Sequence, residues 1–451
     1  MSVAERALTS RAALAETLDP TRRSWVASAN TPGTDFPIQN LPFCVFRHGQ
    51  HVPRIGVAIG GQILDLRAAS ARGLFSGEAL PAAEACDAPS MNGLMALGRL
   101  PARALRVQLS ELLREGGSGD SAREVLAPAL LLPRDEVALL MPAVVGDYTD
   151  FYASVHHATN VGRMFRPDQP LLPNYKWVPI GYHGRASSIV VSETPVRRPI
   201  GQRKAPTEDT PTVGPSRSLD YELELAGWVG AGNTLGNTIA IDDAESHLFV
   251  LSLLNDWSAR DLQAWEYQPL GPFLAKNFAS SVSPFVVTLD ALEPFRAPLA
   301  PRAEGDPEAL AYLSSESDRE RGGFGITLEV WLRTARMRHE ALEPVRLSRS
   351  QSLDLYWTFA QMLTHHASNG CNMRSGDVLG SGTVSGAAPE NRGCLLELTE
   401  RAAQPIVLPS GESRGFLEDG DEVTLRGYAE REGAVRIGFG ECVGVVIAAR
   451  S

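Results

Sequence analysis

The stretch Leu219-Asp-Tyr-Glu-Leu-Glu-Leu225 alternates apolar and mostly acidic residues over seven positions. Alternate side chains of a β-strand point to opposite faces, so the stretch predicts a strand with one apolar face. Its other face would carry Asp220, Glu222 and Glu224. Three carboxylates on one face repel each other unless a cation compensates, and a hard divalent cation prefers oxygen ligands. A strand whose acidic face is simply solvated remains an equal alternative for this stretch alone.

The sequence around this stretch predicts a chain that is mainly β with some α. Short runs with strand composition, broken by glycine and proline, lie at residues 188–191, 285–289, 326–332 and 395–398. One helix is predicted over residues 353–368, because Asn369-Gly370 follows it as a stop signal. Residues 302–323 are polar and acidic and predict an exposed segment.

The domain organisation predicted from these patterns has three parts. Residues 1–31 are predicted to form a polar N-terminal tail, and Pro32-Gly33 interrupts the chain there. Residues 32–142 predict a small β-rich domain with strand-like runs near 43–46, 55–59 and 63–66 and a helix over 101–115. Residues 143–451 predict a large, mainly β domain that carries the chemistry.

Composition narrows the class of protein. The 451 residues are 43% hydrophobic and 21% charged, which is ordinary for a globular protein with a large core. The net charge of -11 and the lack of a basic tract argue against nucleic acid or an anionic membrane as a partner. We expect no signal peptide and no transmembrane span. Five scattered cysteines without a CxxC spacing argue against a disulfide framework or a zinc site and favour a cytoplasmic location.

A second candidate site is the segment 255–267. If it is helical, Asp256, Arg260, Gln263 and Tyr267 share one face that offers a carboxylate, a guanidinium, an amide and a phenol. Such groups bind an anionic, oxygen-rich substrate next to a metal. A surface helix with an ordinary Asp–Arg pair explains the segment equally well.

Three further segments offer groups that could belong to the same site. Residues 146–162 contain Asp150, a candidate ligand, and His157, a candidate base, although a lone histidine is more often structural. Lys276 lies between apolar residues and would need a carboxylate partner if buried, whereas a surface lysine is the simpler interpretation. Residues 376–386 are rich in glycine and would allow a close backbone approach to a ligand, or form a tight turn. No Walker, GxSxG or HExxH motif is present.

These segments together, in this order, resemble the fumarylacetoacetate hydrolase family. The resemblance covers about residues 34–450 and includes an N-terminal part that the wider superfamily usually lacks. It rests on the run 147–160 and on nine motifs, each numbered at its first residue: Asp35-Phe-Pro-Ile-Gln-Asn-Leu-Pro, Arg54-Ile-Gly-Val-Ala-Ile-Gly, Gly181-Tyr-His-Gly-Arg-Ala-Ser-Ser, Asp220-Tyr-Glu-Leu-Glu, Asn255-Asp-Trp-Ser-Ala-Arg-Asp, Pro269-Leu-Gly-Pro-Phe-Leu, Thr364-His-His, Asn369-Gly-Cys-Asn and Ser381-Gly-Thr.

The resemblance implies a small SH3-like N-terminal barrel, a large C-terminal mixed β-roll or sandwich, and a homodimer. It implies hydrolysis of a carbon–carbon bond in a small diketo acid, 4-fumarylacetoacetate, with Ca²⁺ or Mg²⁺ as cofactor. The implied metal site comprises Asp150, Glu222, Glu224, Asp256, Lys276 and Ser280. The implied catalytic groups are the base His157, its partner Glu397, and Arg260, Gln263 and Lys276 at the oxyanion. The implied substrate-binding residues are Tyr152, Arg166, Tyr182, Gln263, Tyr267 and Thr383.

Two positions depart from the family pattern. Ser280 stands where a threonine is expected beside the metal, and His156 adds a second imidazole next to the proposed base. A related activity is also compatible with the same carboxylates: an acylpyruvate hydrolase, or a decarboxylase or isomerase of oxo acids. A non-catalytic Ca²⁺-binding β module is the alternative of another class, and in it His157, Glu397 and Lys276 would be incidental.

Overall fold

The N-terminal half is built on a five-stranded antiparallel sheet. The structure is a computed structural model, and it describes residues 11–205 and 207–450. The strands are β1 (Phe43–His48), β2 (Arg54–Ile59), β3 (Gln62–Asp65), β4 (Leu131–Pro133) and β5 (Val137–Leu140). They follow the order β4-β3-β2-β1-β5. Gly60, at a φ of 54°, turns β2 into β3, and a Cβ there would lie 2.4 Å from the backbone of Ala29.

Besides the helical residues 11–17, five helices accompany this sheet in the described part of the chain, so the N-terminal half is more helical than its pattern predicts. The helices are α1 (Leu66–Ala71), α2 (Leu80–Ala85), α3 (Asn92–Ala96), α4 (Arg99–Leu113) and α5 (Arg123–Leu130). The longest, α4, is amphipathic and buries Leu105, Leu109 and Leu112 on one side. Residues 24–30 lie against its end, where the indole of Trp25 donates to the carbonyl of Leu112.

The centre of the C-terminal half is a mixed eight-stranded sheet. The strands are β6 (Tyr148–Phe151), β7 (Gly181–His183), β8 (Ile189–Val191), β13 (Leu223–Val229), β14 (Leu248–Asp256), β16 (Ser280–Val282), β17 (Val287–Thr288) and β22 (Val378–Gly380). Their order is β7-β6-β22-β13-β14-β16-β8, and β17 pairs with β14 as a branch. The β6–β22 and β8–β16 pairs are parallel, and the other pairs are antiparallel.

A five-stranded sheet packs against the eight-stranded one. The strands are β9 (Val196–Arg197), β20 (Ile326–Arg333), β21 (Val345–Gln351), β25 (Glu422–Ala429) and β26 (Ile437–Ile447). Their order is β21-β20-β25-β26-β9, and β25 alternates half-buried and buried positions along its whole length. Glycines allow the two sheets to approach, since a Cβ at Gly444 would lie 2.3 Å from the indole of Trp257.

The remaining elements are short. Four two-stranded pairs connect the main sheets: β10 (Ile200–Arg203) with β11 (Thr212–Pro215), β12 (Leu219–Asp220) with β15 (Ser258–Ala259), β18 (Arg296–Ala297) with β19 (Gly323–Phe324), and β23 (Ile406–Val407) with β24 (Ser413–Arg414). The helices are α6 (Val155–Phe165), α7 (Ile241–His247), α8 (Arg260–Glu266), α9 (Glu316–Arg321), α10 (Ala335–His339), α11 (Phe359–Ala367) and α12 (Leu395–Leu398). Short 3-10 helices cover Ala27–Asn30, Gly77–Ala79, Asp120–Ala122, Arg134–Glu136, Ala186–Ser188, Glu293–Phe295, Ala311–Leu313, Ser352–Asp354 and Pro389–Asn391.

The fold class predicted from the sequence, mainly β with some α, is confirmed. Within the described ranges, no helix is long and apolar enough to cross a membrane. The predicted domain boundaries stay a prediction, and the first ten residues of the predicted tail lie outside the described residues. One hydrophobic cluster joins the N-terminal sheet to a face of the eight-stranded sheet through Trp228, Phe249 and Val250. The two halves therefore share part of a core.

Several predicted elements were wrong. The run 395–398 is the helix α12 and not a strand, and within 285–289 only Val287–Thr288 forms a strand. The helix predicted over 353–368 begins at Phe359, because Thr358 and Gln361 form a capping box there. The polar segment 302–323 is only partly exposed, since Leu313 is buried and the Arg302 guanidinium lies over the Trp357 ring.

Candidate active site

Four buried carboxylates meet where neighbouring strands of the eight-stranded sheet end. Asp150 comes from β6, Glu224 from β13 and Asp256 from the end of β14, while Glu222 directly precedes β13. One oxygen from each lies within 4.8 Å of the others. The sequence placed these four residues in one metal site, and the structure brings all of them together. Asp256 belongs to a strand, however, so the single helix face predicted for 256–267 was wrong at its first position.

Asp220 does not join this cluster, contrary to the expectation that three acids of the stretch 219–225 share one compensating cation. Its carboxylate accepts hydrogen bonds from the backbone N–H groups of Leu395 and Leu396, at 2.8 and 3.0 Å, and from Arg260 Nε at 2.9 Å. Strand pairing breaks between β12 and β13, which places Asp220 apart from Glu222 and Glu224. Asp220 is thus neutralised by an arginine and by the start of helix α12.

A glycine in β22 makes room for the cluster. A Cβ at Gly380 would lie 2.5 Å from Asp150 Oδ1 and 3.0 Å from Glu224 Oε2. The backbone N–H of Gly382 donates to Glu224 Oε2 at 3.1 Å. The glycine-rich segment 376–386 was expected to approach a ligand closely, and it approaches the carboxylates themselves.

The electrostatics of the cluster fit a bound cation. Burial, together with the neighbouring carboxylates, raises the pKa of Asp150 and of Glu224 well above the usual range. Asp150 Oδ1 and Glu224 Oε1 are buried and have no hydrogen-bond partner within the described part of the chain. Unpaired carboxylate oxygens that lie close together are stabilised by a compensating positive charge, and an all-oxygen set suits a hard divalent cation.

Lys276 supplies part of the positive charge. Its ammonium group contacts Glu222 and lies 2.6 Å from Asp256 Oδ2, while Ser280 Oγ donates to Asp256 Oδ1 at 2.7 Å. Burial would raise the pKa of Glu222, but Lys276 and Arg260 outweigh it and lower that pKa to about 2. The carboxylates raise the pKa of Lys276 against the effect of burial. A protonated amine has no lone pair for a metal, so Lys276 balances charge in this cluster instead of serving as a ligand.

His157 lies beside the cluster and is paired with Glu397. It sits in the first turn of α6, whose N-cap is Ser154, and its Nδ1 lies 2.6 Å from Glu397 Oε2. Burial would raise the pKa of Glu397, but His157, Asn160 and Ser385 lower it to about 2. A charged carboxylate at Nδ1 holds the proton on that nitrogen and leaves Nε2 free as a base.

Three side chains that hold Glu397 were not singled out from the sequence. Asn160 Nδ2 donates to Oε1 at 2.8 Å, Ser385 Oγ donates to Oε2 at 2.8 Å, and the Cys394 thiol lies 3.2 Å from Oε2. Asn160 follows His157 by three residues on a helix, which is a signal that could have found it. No local signal connects Ser385 or Cys394 to His157.

Arg260 and Gln263 lie on α8 next to these groups. Arg260 Nε donates to Asp220 Oδ2, and its Nη1 donates to Gln263 Oε1 at 3.1 Å and lies 2.8 Å from Glu222 Oε1. Its buried Nη2 has no hydrogen-bond partner among the described residues. Because Gln263 Oε1 accepts from Arg260, the amide nitrogen of Gln263 is left as a donor. Two nitrogen atoms, Arg260 Nη2 and the amide nitrogen of Gln263, therefore remain available as donors to a ligand oxygen.

Several of these side chains line a cavity of about 420 Å³, which is called the substrate cavity below. It is lined by the predicted residues Asp150, Tyr152, His157, Arg166, Tyr182, Glu222, Arg260, Gln263, Tyr267, Lys276 and Thr383. Glu224, Asp256, Ser280 and Glu397 lie behind this wall. Apolar side chains such as Phe165, Leu172 and Leu270 form the outer part. A larger cavity of about 1250 Å³ lies elsewhere, and charged side chains in its wall, such as Arg99 and Glu245, pair with each other.

Comparison with known proteins finds family models and relatives that match most of the chain. A family model for the C-terminal part of fumarylacetoacetate (FAA) hydrolase matches residues 147–447, and one for the N-terminal part of fumarylacetoacetase matches residues 39–142. The fumarylacetoacetase of Oryza sativa subsp. japonica is 46% identical over 432 residues, which cover 95% of this chain and 97% of that protein. The human fumarylacetoacetase is 47% identical over 419 residues, 92% of this chain and 97% of that protein. A solved fumarylacetoacetate hydrolase from Exiguobacterium antarcticum is 17% identical, covers 91% of this chain and 100% of its own, and has a TM-score of 0.49.

Proposed function

The chain belongs to the fumarylacetoacetate hydrolase family, and from this membership we propose that it hydrolyses one carbon–carbon bond of 4-fumarylacetoacetate to fumarate and acetoacetate. This is the last step of tyrosine and phenylalanine breakdown. The observation that carries the proposal is one cavity lined both by His157, which is paired with Glu397, and by Asp150 and Glu222 of the four-carboxylate cluster. A binding module would need the carboxylates alone.

The cofactor we propose is Ca²⁺ or Mg²⁺, held by Asp150, Glu222, Glu224 and Asp256. The proximity of their oxygens, and the raised pKa values of Asp150 and Glu224, support this set. When bound, such a cation supplies Lewis-acid stabilisation of negative charge on a substrate oxygen. Ser280 orients Asp256 through its hydroxyl, as the expected threonine would.

His157 acts as the general base. Its Nε2 takes a proton from water while Glu397 fixes the ring through Nδ1. The hydroxide adds to a substrate carbonyl and gives a tetrahedral alkoxide. The carbon–carbon bond then breaks, and its electron pair leaves as an enolate. The leaving carbon must gain one proton, and the proton that His157 removed from water accounts for it.

Arg260, Gln263 and Lys276 stabilise the alkoxide. The unpaired Nη2 of Arg260 is preorganised, because the other nitrogens of that guanidinium are fixed by Asp220, Glu222 and Gln263. A lost donor of this kind costs about 3–4 kcal/mol of transition-state stabilisation in other enzymes. The donors act in a buried site, where the low dielectric strengthens them.

The substrate is held by residues around the same cavity: Tyr152, Arg166, Tyr182, Gln263, Tyr267 and Thr383. Arg166 matches a carboxylate, since a guanidinium forms two parallel hydrogen bonds with one. Thr383 Oγ1 is buried without a partner among the described residues and is therefore available to a polar group of the substrate. These positive and polar groups offset the chain's net charge of -11 where the anionic substrate binds.

The assembly and location follow the resemblance. We propose a homodimer in the cytoplasm, with the small diketo acid as its main ligand. All five cysteines are free, and four of them are buried, which suits a reducing compartment. Size-exclusion chromatography with light scattering measures the oligomeric state, and a monomer would contradict this part of the proposal.

The function is tested by substrate comparison. Purified, metal-loaded protein is given fumarylacetoacetate, acylpyruvates and oxo-acid substrates in turn, with a chelator control. We expect the highest kcat/KM for fumarylacetoacetate and loss of activity with the chelator. A preference for an acylpyruvate, or for decarboxylation or isomerisation, would instead assign a related activity. Metal binding without any turnover would indicate a binding module.

A further inference from the structure

The chain leaves helix α12 through a turn of strained backbone conformation. Glu400, Arg401 and Ala402 have φ values of 49°, 60° and 67°, which lie in the left-handed region. Non-glycine residues adopt this region at a cost, and then usually as single residues. Every other non-glycine residue with a positive φ stands alone within the described ranges. These three residues, the left-handed turn, therefore need their surroundings to hold them.

Several contacts hold the left-handed turn against α12. The hydroxyl of the buried Thr399 accepts from the Ala402 N–H at 3.0 Å, and the Arg401 N–H donates to the Leu396 carbonyl at 3.0 Å. Gly415 lies against the same turn, where a Cβ would collide with the Cβ of Ala402. These contacts fix the backbone from which the Arg401 side chain projects.

The Arg401 side chain reaches the C-terminal end of α6. Its guanidinium carbon lies 4.7 Å from the centre of the Phe165 ring, and its Nη1 lies 3.4 Å from the carbonyl oxygen of Met164. Carbonyls in the last turn of a helix have no partner within the helix, and the helix dipole favours a cation there. An arginine over an aromatic ring adds a cation–π attraction. Arg401 therefore ties the end of α6 to the turn that follows α12.

The end of α6 forms part of the wall of the substrate cavity. Phe165 and Arg166 line this cavity, as does Leu396 of α12. The Arg166 guanidinium has few contacts of its own. Its one hydrogen bond in the described part of the chain goes to the Pro170 carbonyl at 3.4 Å, and its buried Nε has no partner there. The position of Arg166 in the cavity therefore depends on the helix end that carries it.

We propose that Arg401 is a positioning residue for substrate binding. It holds the end of α6, which keeps Phe165 in the cavity wall and Arg166 where it can bind a carboxylate of the substrate. His157 and its partner Glu397 lie at the other end of α6 and have their own contact. Arg401 should therefore affect substrate binding and leave the chemical step unchanged. The inference rests on the proposed function, because the substrate it concerns is fumarylacetoacetate.

The first test is a split between KM and kcat. Arg401→Ala should raise KM for fumarylacetoacetate about three- to tenfold and leave kcat within about twofold of wild type. Alanine at this φ is as strained as arginine, so the variant removes the contact and keeps the cost of the turn. Arg401→Lys keeps the charge but not the planar group, and its KM should fall between the two. An unchanged KM in Arg401→Ala, or a kcat that falls as much as KM rises, would overturn the inference.

The matched control is Arg163→Ala. Arg163 is an exposed arginine in the last turn of the same helix, and its side chain makes no hydrogen bond or ion pair with the residues that the structure describes. The control removes the same charge from the same helix end, so its KM should stay near that of wild type. Equal increases in KM in both variants would assign the effect to net charge near the cavity and contradict the positioning role.

The second test does not need turnover. Hydrogen–deuterium exchange of the backbone amides at 162–166 should be about threefold faster or more in Arg401→Ala, because the end of α6 opens more often. The amides at 157–160 should exchange at the wild-type rate. Equal exchange at 162–166 in the two proteins would overturn the inference even in an active enzyme. If the wild-type protein does not cleave fumarylacetoacetate, the proposed function fails, and the exchange rates still decide whether Arg401 holds the helix.

Discussion

One carboxylate, Glu397, determines what His157 can do. Its two oxygens accept from His157, Asn160 and Ser385, and the Cys394 thiol lies against the same side chain. The contacts with His157, Asn160 and Ser385 lower its pKa to about 2 despite burial, so the carboxylate is charged at neutral pH. A charged Glu397 holds the His157 tautomer that leaves Nε2 basic.

Replacing His157 tests the base directly. We expect His157→Ala to lower kcat by about 10²–10⁴, in line with the usual contribution of a positioned base. Metal affinity, measured by calorimetry, should not change, because His157 is not among the four clustered carboxylates. His156→Ala is the matched control and should keep most of the activity. Wild-type turnover in His157→Ala would remove that residue from the base role.

Replacing Asp150 separates repulsion from metal binding. Burial and neighbouring charge raise the pKa of this carboxyl, so the charged form destabilises the metal-free fold. Without cations, Asp150→Asn should therefore be more stable than wild type by roughly 1–3 kcal/mol at neutral pH. Added Ca²⁺ should raise the Tm of wild type and hardly affect the variant.

The measurement is calorimetric melting in chelator and in Ca²⁺. Asp135→Asn, at an exposed position, is the control and should follow wild type in both conditions. An Asp150→Asn variant that is less stable than wild type in chelator would show that the cluster is not under electrostatic stress.

For single residues the sequence predicted which side chains lie together, and their roles stay predictions. Every predicted substrate-binding residue lines one cavity, and the four predicted carboxylates meet. Ser385 and Cys394 could not be predicted, because they act on His157 only through Glu397, which is more than two hundred residues away from His157 in sequence. Lys276 was expected in the metal site. Its ion pairs with Glu222 and Asp256 fit a residue that balances their charge and not a metal ligand.

Among the secondary-structure elements, α8 and α12 are linked by Asp220. Its oxygens bind the first backbone N–H groups of α12, which carries Glu397, and also the guanidinium of Arg260 on α8. The carboxylate sits at the N-terminal end of α12, where the helix favours negative charge. One buried side chain thus positions both the partner of the base and an oxyanion donor.

Asp220→Asn should damage catalysis without touching the metal. The amide would turn a donor toward the N–H of Leu396 or toward Arg260, both of which are donors themselves. We expect kcat to fall about 10–100-fold with an unchanged Kd for the cation, judged from the usual cost of lost supporting contacts. Asp261→Asn, which replaces a neighbouring acid on α8, is the control and should change kcat little. An equal loss in both variants would contradict the positioning role.

The sequence predicted long elements better than short ones. The run 326–332 lies in a strand of the structure, and the helix predicted over 101–115 spans Arg99–Leu113, whereas residues 221–222 interrupt the strand predicted over 219–225. The sequence of the four residues of α12 does not distinguish a helix from a strand, because so short an apolar run shows no periodicity. The first backbone N–H groups of this helix donate to Asp220, which is distant in sequence.

Across the whole molecule, buried ion pairs join the two halves. Asp290, in the C-terminal half, accepts from Arg99 and Arg103 of α4 at 2.7–2.9 Å. Burial would raise the pKa of Asp290, but the two arginines lower it to about 2. A hydrophobic cluster that both halves share adds to this link. These contacts should make the two halves unfold together.

Asp290→Asn should weaken this link. Removing one partner of a buried ion pair usually costs about 3–5 kcal/mol, since the other charges stay buried. Because the folded pKa is depressed, Asp290 stabilises the protein above its unfolded pKa of about 4 and loses that effect as the pH falls toward 2. Denaturant unfolding at pH 7 and pH 3 should therefore show a gap between variant and wild type that narrows in acid. A gap independent of pH would contradict this assignment.

The function of the whole molecule depends on whether the clustered carboxylates hold a divalent cation that the reaction needs. The decisive measurement is fumarylacetoacetate cleavage by protein stripped of cations, before and after Mg²⁺ or Ca²⁺ is restored. We expect loss of turnover on stripping and recovery on addition, and no recovery in Glu224→Gln. Full activity in rigorously stripped protein would show that the reaction needs no cation at this cluster.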